Sequence, residues 1–395
     1  MMADIPNGLQ HWLEIDLDKL TGNLDRIRQK LTPGTGLIAV VKNDAYGFGA
    51  VPCARALAAA GADMLAVTTP EEALELRLAG IDAPVLVFLP VQAGEEHIYA
   101  EYRLTATVDG LRAARLLSGL GVDCHLKLNT GMNRFGIEPD ELADVLAELA
   151  LPGAARLTGA YSHLATALEK DEHYARRQIA LFAKMRDQVL AAGFAGVSFH
   201  LANSAGMLRY PEAHFSSVRV GSALYGQLVM ARACGLELQD PIRACARVAA
   251  LRSLKKGECV GYGSEFTAPR DMDIAVIPWG YGDGFGVSVD ARELTVRDSV
   301  QTMSRNIGRL VTGRYQRGVW RDGKLLPVLG RVAMQSMMVD ATGHNVQIGD
   351  IVNVPQRKVT TSARLPRVYI QGGRITEVRS LLAPYRLMCP DPAGY

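Results

Sequence analysis

The sequence predicts a (β/α)₈ barrel followed by a second, mainly β domain, and three observations lead to this fold class. The chain has 395 residues, which is too many for one ordinary hydrophobic core and enough for a barrel of about 230 residues plus another domain. Short apolar runs alternate with helical periodicities as far as Gly235. Beyond that residue the helical patterns give way to short alternating runs separated by Gly, Asp and Pro, which is typical of an all-β domain.

The barrel elements are predicted in chain order, after an opening strand at 12–17 and a helix from Leu20 to Leu31. Barrel strands are expected near residues 36–41, 63–67, 84–88, 105–108, 123–128, 157–161, 197–202 and 217–220. The stretches between them, such as Tyr174 to Ala192, are apolar every three or four residues, as amphipathic helices are. Eight strand–helix units within about 200 residues have the period of a closed barrel. Because periodicity does not reveal closure, a doubly wound parallel sheet is the competing architecture.

The second domain is predicted from five alternating runs that read as short strands. These runs are Ala246 to Leu251, Ile274 to Pro278, Leu326 to Val332, Met337 to Asp340 and Ile351 to Val354. We therefore place the barrel at residues 12–237 and the β domain at 238–395, and we expect residues 1–11 to pack with the latter. Glycine-rich pieces at 261–263 and 280–286 do not lead from a strand into a helix, so they do not indicate a dinucleotide site.

Composition excludes several classes of function. The 43 basic and 41 acidic side chains give no polybasic surface, which argues against nucleic acid or a membrane as the main partner. No apolar run approaches the ~20 residues of a membrane span, and the amino terminus has no signal-peptide pattern, so we expect a cytoplasmic protein. The six cysteines form no Cys-x-x-Cys pair and the eight histidines show no ligand spacing, so we expect free thiols and no metal site.

The first barrel strand ends at a lysine, Lys42, which a glycine-rich turn follows. The carboxyl ends of barrel strands are where such folds place their chemistry. A lysine that is desolvated there loses part of its preference for the charged state and becomes a usable nucleophile or base. The alternative is a rim lysine that forms a salt bridge or is hydrated.

Polar residues also follow the later barrel strands, as the barrel hypothesis requires. Lys127 and Arg134 follow the fifth strand, and His163 follows the sixth. The seventh strand leads into Asn203 and Ser204, and the eighth into Arg219, Gly221 and Ser222. Loops after strands seven and eight commonly hold a phosphate, with backbone N–H groups and a helix start. The alternative is that Ser204 is only a helix N-cap and Gly221 only a turn residue.

The order of these residues resembles that of the alanine racemase family. The segment Lys42-Asn43-Asp44-Ala45-Tyr46-Gly47-Phe48-Gly49 is similar to the family's Lys-Ala-Asn-Ala-Tyr-Gly-His-Gly. The segment from Lys127 to Gly136 looks like Lys-x-Asp-Thr-Gly-Met-x-Arg-x-Gly, with Asn129 in place of the aspartate. The segments that begin at His200 and Val218 are close to His-x-Ala-Asn-Ser and Val-Arg-x-Gly-x-x-x-Tyr-Gly.

The resemblance implies a pyridoxal 5'-phosphate enzyme that racemises an amino acid, most simply L- and D-alanine. Lys42 would hold the cofactor as a Schiff base and serve one face of the substrate, and Tyr262 would be the second catalytic base. Arg219 would face the pyridine nitrogen, which favours racemisation over transamination or decarboxylation. The other cofactor-binding residues carried over are Tyr46, His163, Asn203, Ser204, Gly221 and Ser222.

The remaining residues that the resemblance assigns concern the substrate and the second base. Arg134, Met334 and Tyr281 would contact the substrate or line its entrance, and His163 with Arg134 would orient and polarise the second base. Lys127 matches a lysine that is often carbamylated in the family; the alternative is an unmodified lysine that pairs with an acid. Because the Tyr262-type base reaches the barrel mouth of the other subunit in similar enzymes, a homodimer with shared active sites is implied.

Some positions depart from the family pattern and keep other functions open. Gln335 stands where an aspartate is usual and Ala333 where a cysteine or serine is. The stretch 290–318 resembles an insertion, and the tail after Pro355 lacks the usual phosphate-binding tyrosine, for which Tyr369 or Tyr385 is a candidate replacement. The alternatives are a racemase of serine or of a larger or pathway-specific amino acid, a decarboxylase on the same scaffold, and a cofactor carrier built on the barrel alone. Arg219 opposes the decarboxylase, and the β domain with its Gly-Tyr-Gly turn opposes the carrier.

Overall fold

The computed structural model of this protein describes residues 8–286, 317–355, 362 and 364–380. The chain divides into two compact units, one of residues 17–241 and the other of the residues before 17 together with those from 242 onward. Most of the stretch 290–318 and the candidate Tyr385 lie outside the described residues.

The first unit is a closed barrel of eight parallel strands. Strand β1 (His11–Asp16) precedes it and belongs to the second unit. The barrel strands are β2 (Gly36–Val40), β3 (Met64–Val67), β4 (Val85–Pro90), β5 (Thr105–Val108), β6 (Asp123–Lys127), β7 (Arg156–Tyr161), β8 (Ser198–His200) and β9 (Ser217–Val220). Each strand pairs with the next, and β2 pairs with β9, so the barrel closes. The predicted barrel is therefore confirmed, and the open doubly wound sheet is excluded.

Helices follow most of the barrel strands and cover them. Their bounds are Ala50–Ala59, Pro70–Leu78, Glu96–Glu101, Leu111–Leu116, Leu142–Leu149, His173–Ala191 and Ser204–Arg209, and a further helix, Leu17–Arg28, precedes the first barrel strand. The helix at 70–78 begins at a capping box, in which Thr69 and Glu72 each bind the other's backbone N–H, and Pro70 takes the first helical position. Within the described ranges, no helix is both long and apolar enough to cross a membrane.

The second unit is a β domain, as predicted, and almost all of its neighbouring strands are antiparallel. Its strands are β10 (Ile242–Arg247), β11 (Ala250–Leu254), β12 (Cys259–Val260), β13 (Phe266–Thr267), β14 (Met272–Ile277), β15 (Gly318–Arg321), β16 (Lys324–Leu329), β17 (Met337–Asp340), β18 (Ile351–Asn353), β19 (Arg367–Gln371) and β20 (Arg374–Arg379). Ten strands, including β1, form one sheet in the order β11-β14-β17-β16-β15-β18-β10-β1-β19-β20, and β12 pairs with β13. Its core contains Trp279, Met337 and Val339, all fully buried.

The placement of the opening strand corrects the sequence analysis, which assigned residues 12–16 to the barrel domain. Strand β1 pairs antiparallel with β10 and parallel with β19, and both partners lie more than 200 residues further along the chain. Trp12, Leu13 and Ile15 are fully buried, so the strand is covered on both faces. Periodicity indicated a strand but could not indicate which sheet it joins. The candidate Tyr369 is a fully buried residue of β19.

Candidate active site at the barrel mouth

A cavity of about 380 Å³ lies at the carboxyl ends of the barrel strands. Every site residue that the sequence analysis placed in the barrel lines this cavity. These residues are Lys42, Tyr46, Lys127, Arg134, His163, Asn203, Ser204, Arg219, Gly221 and Ser222. Each follows or ends a strand of the same parallel barrel, which is why positions up to 180 residues apart in the chain meet here.

Lys42 is followed by an unusual left-handed turn. The four residues from Asn43 to Tyr46 have φ angles of 54°, 51°, 52° and 58°. For residues other than glycine this conformation costs about 1–2 kcal/mol each, although Asn and Asp tolerate it better than others. The Asp44 carboxylate accepts the N–H of Ala50 at 2.8 Å and so ties the turn to the start of the next helix. Strain that the surrounding structure maintains in this way is characteristic of functional sites.

The Lys42 amine has an altered acidity. Desolvation lowers the pKa of Lys42, the nearby Arg134 guanidinium lowers it further, and the Glu72 carboxylate acts in the opposite direction. A lysine whose pKa is lowered spends more time as the neutral amine, which is the form that attacks a carbonyl or accepts a proton.

Arg219 is buried near the end of β9, and its Nη1 and Nη2 atoms donate hydrogen bonds to the barrel. Nη1 donates to Nδ1 of His200 at 2.8 Å and to the His200 carbonyl at 2.7 Å. Nη2 donates to the carbonyls of Ser162 and Leu201. Burial lowers the Arg219 pKa to about 10, so the guanidinium is still charged at neutral pH. A group that lies against Arg219 therefore meets a cation and donor, never an acceptor.

The contacts of Arg219 fix the protonation of two buried histidines. Because a guanidinium cannot accept, Nδ1 of His200 must accept, and its proton sits on Nε2. That Nε2 is 2.9 Å from Nδ1 of His125, which must accept in turn. Burial lowers the pKa of His125 to about 3 and lowers that of His200 as well, so both rings are neutral. The chain of donors thus runs from Arg219 through His200 to His125.

Tyr46, Ser204, Gly221 and Ser222 form one corner of the cavity, which we call the anion cradle. The N-cap of the helix at 204–209 is Asn203, whose Oδ1 accepts the N–H of Gly206 at 2.9 Å, so Ser204 is the first helical residue and not the cap. A Cβ on Gly221 would overlap the Tyr46 hydroxyl, which explains the glycine. Burial raises the pKa of Tyr46 to about 12, so its phenol remains an O–H donor.

Lys127 and His163 lie beside Arg219 in a strongly desolvated region. Burial, with Arg219 and Arg134, lowers the pKa of Lys127 to about 7. Its Nζ donates to the Leu128 carbonyl at 3.2 Å and lies 5.3 Å from the centre of the Tyr161 ring. Burial and the same cations lower the pKa of His163 to about 3. His163 is therefore neutral, so of the two residues expected to polarise the second base only Arg134 carries a charge.

Tyr262, Tyr281 and Met334 belong to the second unit and are exposed there; we call them the exposed group. Their exposed fractions are 70%, 50% and 60% respectively. Tyr281 and Met334 lie together, because the N–H of Tyr281 donates to the Ala333 carbonyl at 3.1 Å and that of Gly282 donates to Met334 at 2.8 Å. Tyr262 is presented on a one-turn helix at 262–264 that follows β12. In a single chain these residues have half or more of their surface in solvent.

Sequence reasoning missed three contributors to the barrel site. Tyr161 stacks on His200 with ring centres 5.1 Å apart and lies against Arg219. His125 ends the donor chain, and Glu72 contacts the left-handed turn. The pattern Thr69-x-x-Glu72 was readable as a capping box, but its contact with the turn was not. Nothing in the local sequence marks His125, whose partner is 75 residues away.

Comparison of the sequence with known protein families identifies the family of this chain. The family model "Alanine racemase, N-terminal domain" matches residues 15–229, and "Alanine racemase, C-terminal domain" matches residues 242–368. This chain belongs to the alanine racemase family. It is an isomerase of the alanine racemase type, as the sequence analysis predicted. The two matched segments correspond to the two compact units except for β1.

Individual members of the family match over nearly the whole chain. The alanine racemase of Desulforamulus reducens is 33% identical over 91% of this chain and 98% of its own length. The solved alanine racemase of Clostridium difficile 630 superposes with a TM-score of 0.80 at 26% identity, covering 95% of this chain and 99% of that one. A Bacillus anthracis alanine racemase solved with bound L-Ala-P superposes with a TM-score of 0.77 at 29% identity, covering 94% and 98%.

Proposed function

We propose that this protein interconverts L- and D-alanine with pyridoxal 5'-phosphate as cofactor and with Lys42 and Tyr262 as the two bases. The observation that carries the proposal is the barrel cavity itself. It places an amine of lowered pKa, an anion cradle and a buried guanidinium in one space of about 380 Å³.

The residues present fit the three functional parts of pyridoxal phosphate. Lys42 would hold its aldehyde carbon, and the anion cradle would hold its phosphate through the Tyr46 hydroxyl and the start of the helix at Ser204. The donor-only contact of Arg219 suits an unprotonated pyridine nitrogen, which is an acceptor. When bound, the cofactor supplies an electron sink that makes the substrate's α-proton acidic. Within the described residues, no group of three or more His, Cys, Asp or Glu is placed to hold a metal ion.

Two bases on opposite faces of a planar carbon are needed to invert its configuration. Lys42 moves the proton on one face. We assign the other face to Tyr262 of the partner subunit, because an exposed phenol on a β-domain turn acquires a role when a second chain covers it. This assignment makes the enzyme a homodimer with two shared sites. Arg134 provides the positive charge beside this region, since His163 is neutral.

Substrate recognition is proposed for Arg134, Tyr281 and the backbone N–H of Met334. The last two come from the exposed group and would act on the partner's cavity. Lys127 is suited to carbamylation, because a pKa lowered to about 7 leaves a substantial fraction of its Nζ neutral at neutral pH. Its nitrogen would form a bond to CO₂ and release one proton, and the new carboxylate would pair with Arg134.

The proposal is tested by exchange of the α-proton in deuterated solvent over a panel of L- and D-amino acids. Alanine of both configurations is expected to exchange and to racemise. Serine and amino acids with larger side chains are included as alternative substrates, because Gln335 and the tail after Pro355 depart from the family pattern. Exchange of serine or a larger amino acid in preference to alanine would replace the substrate while keeping the chemistry. Release of CO₂ from any of them would instead indicate the decarboxylase, which Arg219 opposes.

A further inference from the structure

Glu72 bridges two barrel loops through one carboxylate. Its Oε2 accepts the backbone N–H of Thr68 at 2.6 Å and that of Thr69 at 3.4 Å, which completes the cap of the helix at 70–78. Its Oε1 points the other way and accepts the N–H of Asn43 at 2.5 Å. The capping geometry fixes where the carboxylate stands, so the contact with Asn43 is made by a side chain that is already held in place.

The Asn43 N–H belongs to the peptide bond that joins Lys42 to Asn43. A hydrogen bond to this N–H restricts rotation of that peptide, and the orientation of the peptide sets the backbone from which the Lys42 side chain leaves. Asn43 is also the first residue of the left-handed turn, which the chain would not adopt unaided. Asp44 ties the turn further on, through Ala50. Glu72 and Asp44 thus hold its two ends.

We propose that Glu72 is a positioning residue for Lys42, whose carboxylate holds the Lys42–Asn43 peptide in the left-handed turn and so directs the Lys42 amine into the barrel mouth. The inference depends on the proposed function in one respect, namely that Lys42 is the reactive amine. It adds a residue from the first turn of the helix at 70–78 to those that set the orientation and charge of that amine.

The charge of Glu72 acts on the same amine. Desolvation and Arg134 lower the pKa of Lys42, and Glu72 opposes them. Lys127 and Arg219 are the other basic side chains that line the cavity, and Glu169 is a further acid there. The remaining ionisable side chains of the lining are neutral, because burial lowers the pKa of His163 to about 3 and raises those of Tyr46 and Tyr161 to about 12. Glu72 therefore has two separable effects on Lys42, a hydrogen bond and a charge.

Two variants separate these effects, with a matched control. Glu72→Ala removes the hydrogen bond and the charge, and Glu72→Gln keeps an oxygen that can accept from Asn43 but removes the charge. Glu71→Gln removes the same charge from the adjacent, exposed residue of the same helix. All are compared in the full-length chain after hydroxylamine treatment, which frees lysines from bound aldehydes.

The first measurement is hydrogen exchange of the amides at 43–47. Loss of a hydrogen bond to a charged acceptor should speed this exchange roughly ten- to a hundred-fold in Glu72→Ala. Glu72→Gln should retain most of the protection, and Glu71→Gln all of it. Unchanged exchange at 43–47 in Glu72→Ala would overturn the inference.

The second measurement is the pH at which acetic anhydride begins to acetylate Lys42, followed by peptide mass spectrometry. Removing a carboxylate that favours the protonated amine should lower the Lys42 pKa, so acetylation should begin at lower pH in Glu72→Gln than in wild type or Glu71→Gln. A purely structural role would not move this midpoint, and an unmoved midpoint would contradict the inference even if Glu72→Ala failed to fold. Neither measurement uses pyridoxal phosphate, so failure of wild-type Lys42 to capture that cofactor would count against the proposed function alone.

Discussion

The barrel mouth and the exposed group of the second unit contribute to the proposed site in opposite ways. At the barrel mouth Lys127 is 1% exposed and Arg219 is 4% exposed, and neighbours within the same chain determine the charge of each. In the exposed group Tyr262 is 70% exposed and Met334 is 60% exposed. A single chain therefore determines the charge of the barrel-mouth residues. The environment of the exposed group depends instead on whether another chain covers it.

Burial therefore separates two kinds of residue in the proposed site. A substitution at the barrel mouth should disturb both folding and catalysis, because the side chains there are packed and hydrogen-bonded. A substitution in the exposed group should affect catalysis alone, because exposed side chains contribute little to stability. Each prediction below tests or refines that contrast.

Tyr262→Phe should show the largest effect on catalysis. Removal of one of two proton-transfer groups should slow racemisation roughly 10²- to 10⁴-fold, while the free energy of unfolding changes by about 0.5 kcal/mol or less. Because each base serves one face in the proposed mechanism, α-proton exchange from one enantiomer should fall more than from the other. Urea unfolding and deuterium exchange of both alanine enantiomers provide the measurement. Equal losses for the two enantiomers would contradict the two-base assignment.

Gly159→Ala should destabilise the barrel and impair catalysis together. Gly159 pairs with His125 across β6 and β7, and a Cβ there would overlap the His125 ring. Because that ring is hydrogen-bonded to His200 and through it to Arg219, it cannot move freely. We expect a loss of about 1–3 kcal/mol in the free energy of unfolding, as for other overpacked sites, and slower racemisation.

The matched control is Gly110→Ala, because a Cβ at Gly110 meets nothing within 4 Å and its backbone is extended. It should cost about 1 kcal/mol or less and leave activity unchanged. If the two alanine variants behaved alike, the packing of His125 would have no special role in the site.

Asn129→Asp tests the loop that carries Arg134, with a smaller expected effect. Asn129 Oδ1 accepts the N–H groups of Gly131 and Asn133, both at 3.1 Å, and its Nδ2 donates to Glu138 at 2.6 Å. The family's usual aspartate would place two carboxylates in contact here, so the substitution should cost about 1 kcal/mol and raise KM.

Adding Glu138→Gln should restore both properties, because its amide can donate to the new carboxylate. A double-mutant cycle in urea, with KM measured alongside, detects this rescue. Strictly additive effects of the two substitutions would show that the Asn129–Glu138 contact does not stabilise the loop.

Lys127→Met tests the buried amine through the pH dependence of stability. We expect its effect to develop gradually as the pH rises. The unfolded lysine holds its proton up to about 10.5, and the folded one loses it near 7. Between these values the unfolded state binds more protons, so this residue makes wild-type stability rise with pH by at most about 1.4 kcal/mol per unit.

The methionine variant should lose that slope, because it has no amine to titrate. Urea unfolding of both proteins between pH 7 and pH 10 in bicarbonate-free buffer measures the difference. An identical slope in wild type and Lys127→Met would show that Lys127 titrates normally.

Much of the barrel could be predicted from the sequence, because each strand is indicated by residues that are neighbours in the chain. Apolar runs predicted all eight barrel strands, and in a closed parallel barrel the residues after the strands meet at one mouth, so Lys42, Ser204 and Arg219 could be brought together without knowing any contact. The features that escaped prediction depend on distant partners. Strand β1 joins a sheet whose other members follow more than 200 residues later, and Glu72 reaches Asn43 across 29 residues.

In the proposed function Lys42 forms a covalent bond with pyridoxal phosphate, and borohydride trapping followed by peptide mass spectrometry detects that bond. We predict one equivalent of reduced cofactor on the peptide that contains Lys42, no label in Lys42→Ala, and an unchanged label in Lys127→Met. A label on any other lysine of the wild-type protein, or none at all after incubation with the cofactor, would contradict the account.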